Sequence, residues 1–142
     1  MILYRPVGVQ ELKLLAAAGF AAFPPRLTHQ PIFYPVLNFA YAEAIARHWN
    51  TKDPNSGYAG FVTKFDIDDA FASRYPVQVV GGRDDQELWV PAEELKKFNQ
   101  HILGTIRITA SYYGELHQET IDPLSNLPID IAAALTTLST SH

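Results

Sequence analysis

The chain has 142 residues, of which 47% are hydrophobic and 18% charged, enough for one compact domain with an ordinary core. Its 11 lysines and arginines against 15 aspartates and glutamates give a formal charge of −4, which disfavours binding to duplex nucleic acid. The chain contains no cysteine, which excludes disulfides, thiolate metal sites and cysteine nucleophiles. Its apolar stretches are far shorter than the roughly 20 residues of a membrane span, and its N-terminus lacks a signal-peptide pattern. We therefore expect a cytoplasmic protein that does not contact a membrane.

The first half of the chain predicts two strands, two helices and a long proline-rich loop, followed by a third strand. In chain order these are strand Ile2–Tyr4, helix Val9–Ala18, loop Pro24–Pro35 with a short strand Ile32–Tyr34, helix Phe39–Trp49, turn region Asn50–Gly57 and strand Gly60–Ile67. The helices have apolar residues at a helical period, and Asn38 is a suitable N-cap for the second of them. The loop holds four of the ten prolines, and long loops often serve binding sites.

The second half predicts a hairpin, a third helix and a long strand before the pattern weakens. In chain order these are helical turn Asp68–Arg74, strands Val77–Val80 and Gln86–Val90, a helix from Pro91 ended by Gly104, strand Thr105–Tyr113 and helix Pro128–Leu138 with a frayed end at Ser139–His142. This order has too few successive strand–helix–strand units for a doubly wound parallel sheet. The predicted fold is α+β, a split β-sandwich of two small sheets with flanking helices over residues 1–114, and residues 115–142 form a C-terminal extension.

Common catalytic motifs are missing from the chain. It has no GxGxxG, Walker loop, GxSxG or HExxH motif, and its five histidines show no metal-like spacing, so we expect no metal site. What remains is Arg5 at the end of the first strand, the pair Phe33-Tyr34, and Glu87 at the start of a late strand. A cation, a carboxylate and an aromatic ring can together bind a charged, planar ligand.

The same residues carry a family resemblance. Leu3-Tyr4-Arg5, a helix ended by glycine, and Phe33-Tyr34 before the alanine-rich helix at residues 40–46 resemble the opening of ADP-ribosyltransferase domains. The resemblance spans about Ile2 to Ile108 and rests on the order of elements. It implies that Glu87 is catalytic and that Arg5, Tyr4 and Tyr34 bind the cofactor, with Tyr34 stacking on nicotinamide.

The resemblance implies binding of NAD as substrate, release of nicotinamide, and transfer of ADP-ribose to an unknown acceptor. Glu87 would then stabilise an oxocarbenium-like ribose, and Arg5 would hold a phosphate or the nicotinamide amide. Family members with a leading arginine carry Ser-Thr-Ser on the second strand, where this chain has Phe33-Tyr34-Pro35-Val36. The missing hydroxyls favour the alternative, a non-catalytic module of the same fold that binds a nucleotide or a protein. A third hypothesis, an RNA 2′-phosphotransferase, is disfavoured by the acidic charge balance.

Three structural expectations follow. Arg5 and Glu87 should converge on one cleft, since any transferase site requires both. The Pro24–Pro35 and Asn50–Gly57 segments should lie at the mouth of that cleft. Trp49 should be buried, because it completes the apolar helix face begun by Phe39.

Overall fold

A computed structural model describes the backbone of residues 1–140 and the side chains of residues 1–138. The strands are β1 (Ile2–Val7), β2 (Ile32–Phe33), β3 (Ala59–Ile67), β4 (Val77–Val79), β5 (Gln86–Leu88), β6 (Val90–Pro91), β7 (Ile102–Tyr113), β8 (Ile121–Asp122) and β9 (Leu127–Pro128). The α-helices are α1 (Val9–Ala17), α2 (Phe39–His48), α3 (Asp69–Ala72), α4 (Leu95–Gln100) and α5 (Ile129–Thr140), and short 3₁₀ helices cover Asn50–Lys52, Pro54–Ser56 and Ala92–Glu94. The α+β class is confirmed.

The sheets are small and antiparallel. Within residues 1–140, β1, β3 and β7 form a three-stranded sheet with β3 in the centre, and three two-stranded pairs join β2 to β6, β4 to β5 and β8 to β9. Val36 bridges Tyr4 of β1 and Glu87 of β5, so the β4–β5 hairpin lies along the free edge of β1. The strands therefore divide into four groups where the sequence predicts two sheets.

Two separate cores lie on the two faces of the central sheet. Successive residues of a strand point to opposite faces, and directly paired residues point to the same face. The larger core packs α1, through Leu12 and Leu15, against a set of strand residues that includes Leu3 and Phe65. The smaller core packs Ala42 and Ala46 of α2 against Val36 and Val62 on the other face. Consequently, α1 and α2 mark opposite sides of the sheet.

Trp49 is 72% exposed, so the prediction that it is buried is wrong. Helix α2 approaches the sheet through Ala42 and Ala46, its two buried residues, and a large ring does not fit in that narrow space. The helix ends at His48, and Trp49 belongs to the turn into the next 3₁₀ helix. Thr51 is buried there instead and donates a hydrogen bond to the carbonyl of Arg47.

Two predicted boundaries are also wrong, for reasons that concern backbone hydrogen bonding. Strand β1 continues through Pro6, which is tolerated because its missing N–H points away from β3, on the edge where Tyr4 bonds to Val36. Gly104 does not end a helix but lies inside β7, with φ of 74° beside an irregularity in the β3–β7 register. A positive φ beside a register shift is typical of a β-bulge, and glycine is the residue that adopts this φ most readily.

The C-terminal segment packs on the same core as the rest of the domain. Leu127 and Ile131 are buried in the larger core, and α5 contacts α1. Part of the C-terminal extension, residues 115–142, thus contributes to the core of the domain. Helix α5 continues through Thr140, and residues 141 and 142 of the predicted frayed end lie outside the described residues. No helix in the described part of the chain has the length and apolar character to cross a membrane.

Candidate functional site

Arg5 is 8% exposed and held by groups on the α1 side of the sheet. Its Nε donates to Glu11 Oε2 at 2.6 Å and its Nη2 to Glu11 Oε1 at 2.9 Å, which makes a two-pronged ion pair. The guanidinium carbon lies 4.7 Å from the centre of the Phe33 ring, a cation–π contact. Arg5 is therefore fixed in one orientation by a carboxylate and a ring.

A cavity of about 610 Å³ opens beside Arg5. Its walls include the start of α1, the proline-rich loop with Arg26 and His29, and the 3₁₀ region around Asp53. This volume lies within the range of small-molecule sites, about 300 to 1,000 Å³. Residues of both loop segments expected at a cleft mouth line this cavity, but Glu87 does not, so the cavity is not the Arg5–Glu87 cleft of that prediction.

Arg26 brings a second guanidinium to this cavity. Its Nε donates to the carbonyl of Ile32 at 3.1 Å, and among the described residues no carboxylate forms an ion pair with it. Burial, and then the neighbouring positive charge of Arg5, lower the pKa of Arg26 below its ordinary value. Arg26 thus carries a partly desolvated charge with no ion-pair partner among the described residues. The Glu11 carboxylate raises the pKa of Arg26 from a distance but does not cancel the effect of burial, and an anion in the cavity would offset it further.

The 3₁₀ region contributes polar groups to the cavity lining. Asn50 Nδ2 donates to Ser56 Oγ at 2.9 Å, and Ser56 Oγ donates to Asp53 Oδ2 at 3.0 Å. Asp53 Oδ1 accepts the backbone N–H of Asn55 at 2.9 Å. All four residues line the cavity, so its lining combines two guanidinium groups with amide, hydroxyl and carboxylate groups.

Glu87 does not join Arg5. Tyr4, Val36 and Glu87 are paired in register and share one face, whereas Arg5 follows Tyr4 and points to the other. The contacts agree, because Glu87 Oε2 accepts from the hydroxyl of Tyr41 in α2 at 3.0 Å. Its Oε1 accepts from Trp89 Nε1 at 2.7 Å. The expected convergence of Arg5 and Glu87 is therefore wrong: the two groups are bound to different helices on opposite sides of the sheet.

Neither of the two predicted cofactor tyrosines lines the cavity beside Arg5, although Tyr34 acts electrostatically on Arg26. Tyr34 is 39% exposed, and its ring packs perpendicular to Trp89 with centroids 6.5 Å apart. Tyr4 packs edge-on against Phe39 at 6.1 Å, in the smaller core. The four predicted site residues are thus divided between the two faces, with Arg5 alone at the cavity.

Sequence reasoning missed Glu11 and Arg26. Glu11 stands six residues after Arg5, in the first turn of a helix that folds back over β1, and this short connection was a usable signal for an ion pair. Arg26 is the only lysine or arginine in the Pro24–Pro35 segment. A lone arginine in a long loop indicates a binding site less clearly than the Arg5–Glu11 spacing indicates an ion pair. The sequence does not show which strand end the loop covers.

Tyrosine titration provides a prediction of pH dependence. Burial, followed by the hydrogen bond to a glutamate, raises the pKa of Tyr41 and of Tyr75 to about 12, and burial raises that of Tyr113 to about 12. The ordinary pKa is 10.0, so the folded state favours the neutral phenol. This contribution to stability is complete below pH 10 and is lost as the pH rises towards about 12.

We therefore expect chemical denaturation to show falling stability above pH 10, and absorbance titration to show some of the seven tyrosines ionising only near pH 12. Ionisation of all seven tyrosines near pH 10, with unchanged stability above that pH, would show that Tyr41, Tyr75 and Tyr113 are not buried as described.

Among residues 1–140, no group of three or more His, Asp or Glu side chains is placed to hold a metal ion. Comparisons with protein-family models, with curated proteins and with solved structures returned no match to this chain. A function must therefore be inferred from the geometry of the cavity beside Arg5 and of the contacts around Glu87.

Proposed function

We propose that this chain is a non-catalytic binding module of ADP-ribosyltransferase-like type, and that it takes a phosphate-bearing nucleotide such as NAD in the Arg5–Arg26 cavity. The observation that carries the proposal is Arg26, a partly buried cation without a carboxylate partner among the described residues, at a cavity of about 610 Å³. Guanidinium groups match phosphate oxygens in geometry as well as in charge.

The start of α1 supports a phosphate on this side of the cavity. Gly8 is the N-cap, no side chain caps the helix, and Gly8 and Gln10 both line the cavity. The first N–H groups of a helix have no partner within the helix and favour an anion. Arg26 and this helix end therefore both favour negative charge.

The polar wall supports a ligand with hydroxyl groups beyond its phosphates. The side-chain oxygens of Asp53 and the side chain of Asn55 can exchange hydrogen bonds with a sugar, whereas Asn50 Oδ1 is enclosed by the protein. Asp53 would repel a phosphate placed beside it, so the hydroxyl groups of the ligand suit this part of the lining better than its phosphates do. The ADP-ribose part of NAD has both kinds of group.

The arrangement of carboxylates favours binding over catalysis. A transferase mechanism requires a carboxylate that hydrogen-bonds the ribose of bound NAD. Glu87 lies on the other face of the sheet, and both oxygens of Glu11 already accept from Arg5. Transferase activity would appear as release of nicotinamide from NAD, which we expect to be absent.

Replacing Arg26 by glutamine should weaken NAD binding by about 10- to 100-fold, the range of a charge-assisted hydrogen bond. Calorimetric titration of both proteins with NAD and with pyrophosphate measures the change, while chromatography of the same mixtures detects nicotinamide. The matched control is Arg107→Gln, an exposed arginine of β7 outside the cavity lining, which should bind as the parent does. Equal affinity of the parent and Arg26→Gln for NAD would contradict the proposed site. Release of nicotinamide by the parent would contradict a non-catalytic role and indicate a transferase.

A further inference from the structure

The Glu87 cluster on the α2 side of the sheet is separate from the proposed nucleotide cavity. Here the Glu87 cluster means Glu87 with Tyr34, Tyr41 and Trp89. Glu87 is 8% exposed and receives hydrogen bonds from two neutral donors, Tyr41 and Trp89. Among the described residues no lysine or arginine forms an ion pair with it. A buried carboxylate without a cation is costly in free energy, and a bound cation would offset that cost.

The carboxylate retains capacity for a further partner. Each oxygen can accept two hydrogen bonds, and each accepts one here. The hydrogen bond to Glu87 helps to raise the pKa of Tyr41, so its hydroxyl remains a donor at neutral pH and holds the carboxylate in place. Asp85 lies near enough to act on Tyr41 electrostatically, which adds a second negative charge to this side.

The aromatic rings beside Glu87 are partly open to solvent. Tyr34 and Trp89 are 39% and 43% exposed, and their planes meet at 88°. Two perpendicular rings form two walls of a corner, and the π faces of such rings attract cations. Helix α2 covers the neighbouring sheet face but does not hide this corner, since both rings remain exposed.

We propose that the Glu87 cluster is a binding site for an organic ammonium group, which packs in the corner of Tyr34 and Trp89 and pairs with the Glu87 carboxylate. The charge balance fits a cation, because Asp85 and Glu87 are both negative and neither is in an ion pair among the described residues. None of the residues of the Glu87 cluster lines the nucleotide cavity. Tyr34 is nevertheless close enough to act electrostatically on Arg26 of that cavity.

The test uses Trp89 as the reporter. The chain has two tryptophans, so Trp49→Phe leaves Trp89 as the only tryptophan, whose fluorescence is excited selectively at wavelengths that tyrosine does not absorb. Trp49 is exposed and outside the cluster. This protein is titrated with choline, with the uncharged tert-butyl analogue of choline, and with N-acetyl-lysine amide. The last ligand distinguishes a protein lysine from a small quaternary ammonium as the natural source of the charge.

We expect choline or the lysine amide to bind saturably, and the uncharged analogue to bind at least about tenfold more weakly. Glu87→Gln should weaken binding of the charged ligand by at least about tenfold. The matched control is Glu94→Gln, because Glu94 also accepts a hydrogen bond from a tyrosine, Tyr75, at 2.8 Å. That variant should bind as the parent does.

Tyr34→Ala is a second variant for the case that Glu87→Gln does not fold. It should fold, because it removes a ring that is 39% exposed. It should also weaken binding of the charged ligand. Three results would each overturn the proposal: no saturable binding of either ammonium, equal binding of the uncharged analogue, or unchanged affinity in every folded variant of Glu87 and Tyr34.

Discussion

Replacing Glu11 by alanine is expected to lower the free energy of unfolding by about 3 kcal/mol. The change leaves the Arg5 guanidinium buried beside Phe33 with neither of its two hydrogen bonds to a carboxylate. Loss of one partner from a buried ion pair costs about 3 to 5 kcal/mol, and the 21% exposure of the Glu11 side chain places the effect at the lower end. Urea denaturation at neutral pH measures it.

The double variant Arg5→Met, Glu11→Leu separates the ion pair from the packing around it. Apolar residues of similar size often replace a buried ion pair at little cost, so this variant should be more stable than Glu11→Ala alone. A Glu11→Ala protein as stable as the parent would show that the ion pair is exposed to water in solution.

Replacing Gly60 by alanine is expected to destabilise the fold by about 3 kcal/mol or more, at the upper end of overpacking effects. A Cβ at residue 60 would lie 2.2 Å from the carbonyl oxygen of Ala46, so α2 would have to move away from β3. That movement opens the smaller core, in which Ala42 and Ala46 are fully buried. Thermal and urea denaturation of the variant measure the loss.

Gly19→Ala is the matched control for Gly60→Ala. A Cβ at residue 19 meets nothing within 4 Å, but the residue has φ of 64°, so only backbone strain of about 1 to 2 kcal/mol is added. A smaller loss at Gly60 than at Gly19 would contradict the close approach of α2 to the sheet.

Local patterns in the sequence predict the regular elements well. The alternation of Phe61, Thr63 and Phe65 against Val62 and Lys64 predicts a strand, and the structure has β3 there. The prediction that this strand is half-buried is wrong, because Val62 on the second face is fully buried under α2. Strand alternation and helix periodicity depend on neighbours in the chain, so a single sequence suffices for them.

The position of Trp49 could not be read from the same periodicity. Its spacing from Ala42 and Ala46 is helical, but the helix ends at His48 and the following turn carries the ring outward. Whether a large residue at a helix end is buried depends on how far the helix extends over its sheet, which is a tertiary property.

The division of the candidate site also depends on tertiary register. The sequence alone does not show that Val36 bridges Tyr4 and Glu87, and this bridge places Arg5 and Glu87 on opposite faces. A shift of one residue in register would reverse the result. The resemblance to ADP-ribosyltransferases identifies both residues as candidates but does not fix their faces.

A crystal structure of the protein grown with ADP-ribose tests the nucleotide cavity most directly. We predict phosphate oxygens within hydrogen-bond distance of Arg26, with the ribose towards Asp53 and Asn55 and with the Arg5–Glu11 pair intact. Phosphate bound on the α2 side of the sheet, or a cavity that stays free of ligand while ADP-ribose binds elsewhere, would contradict the proposed function.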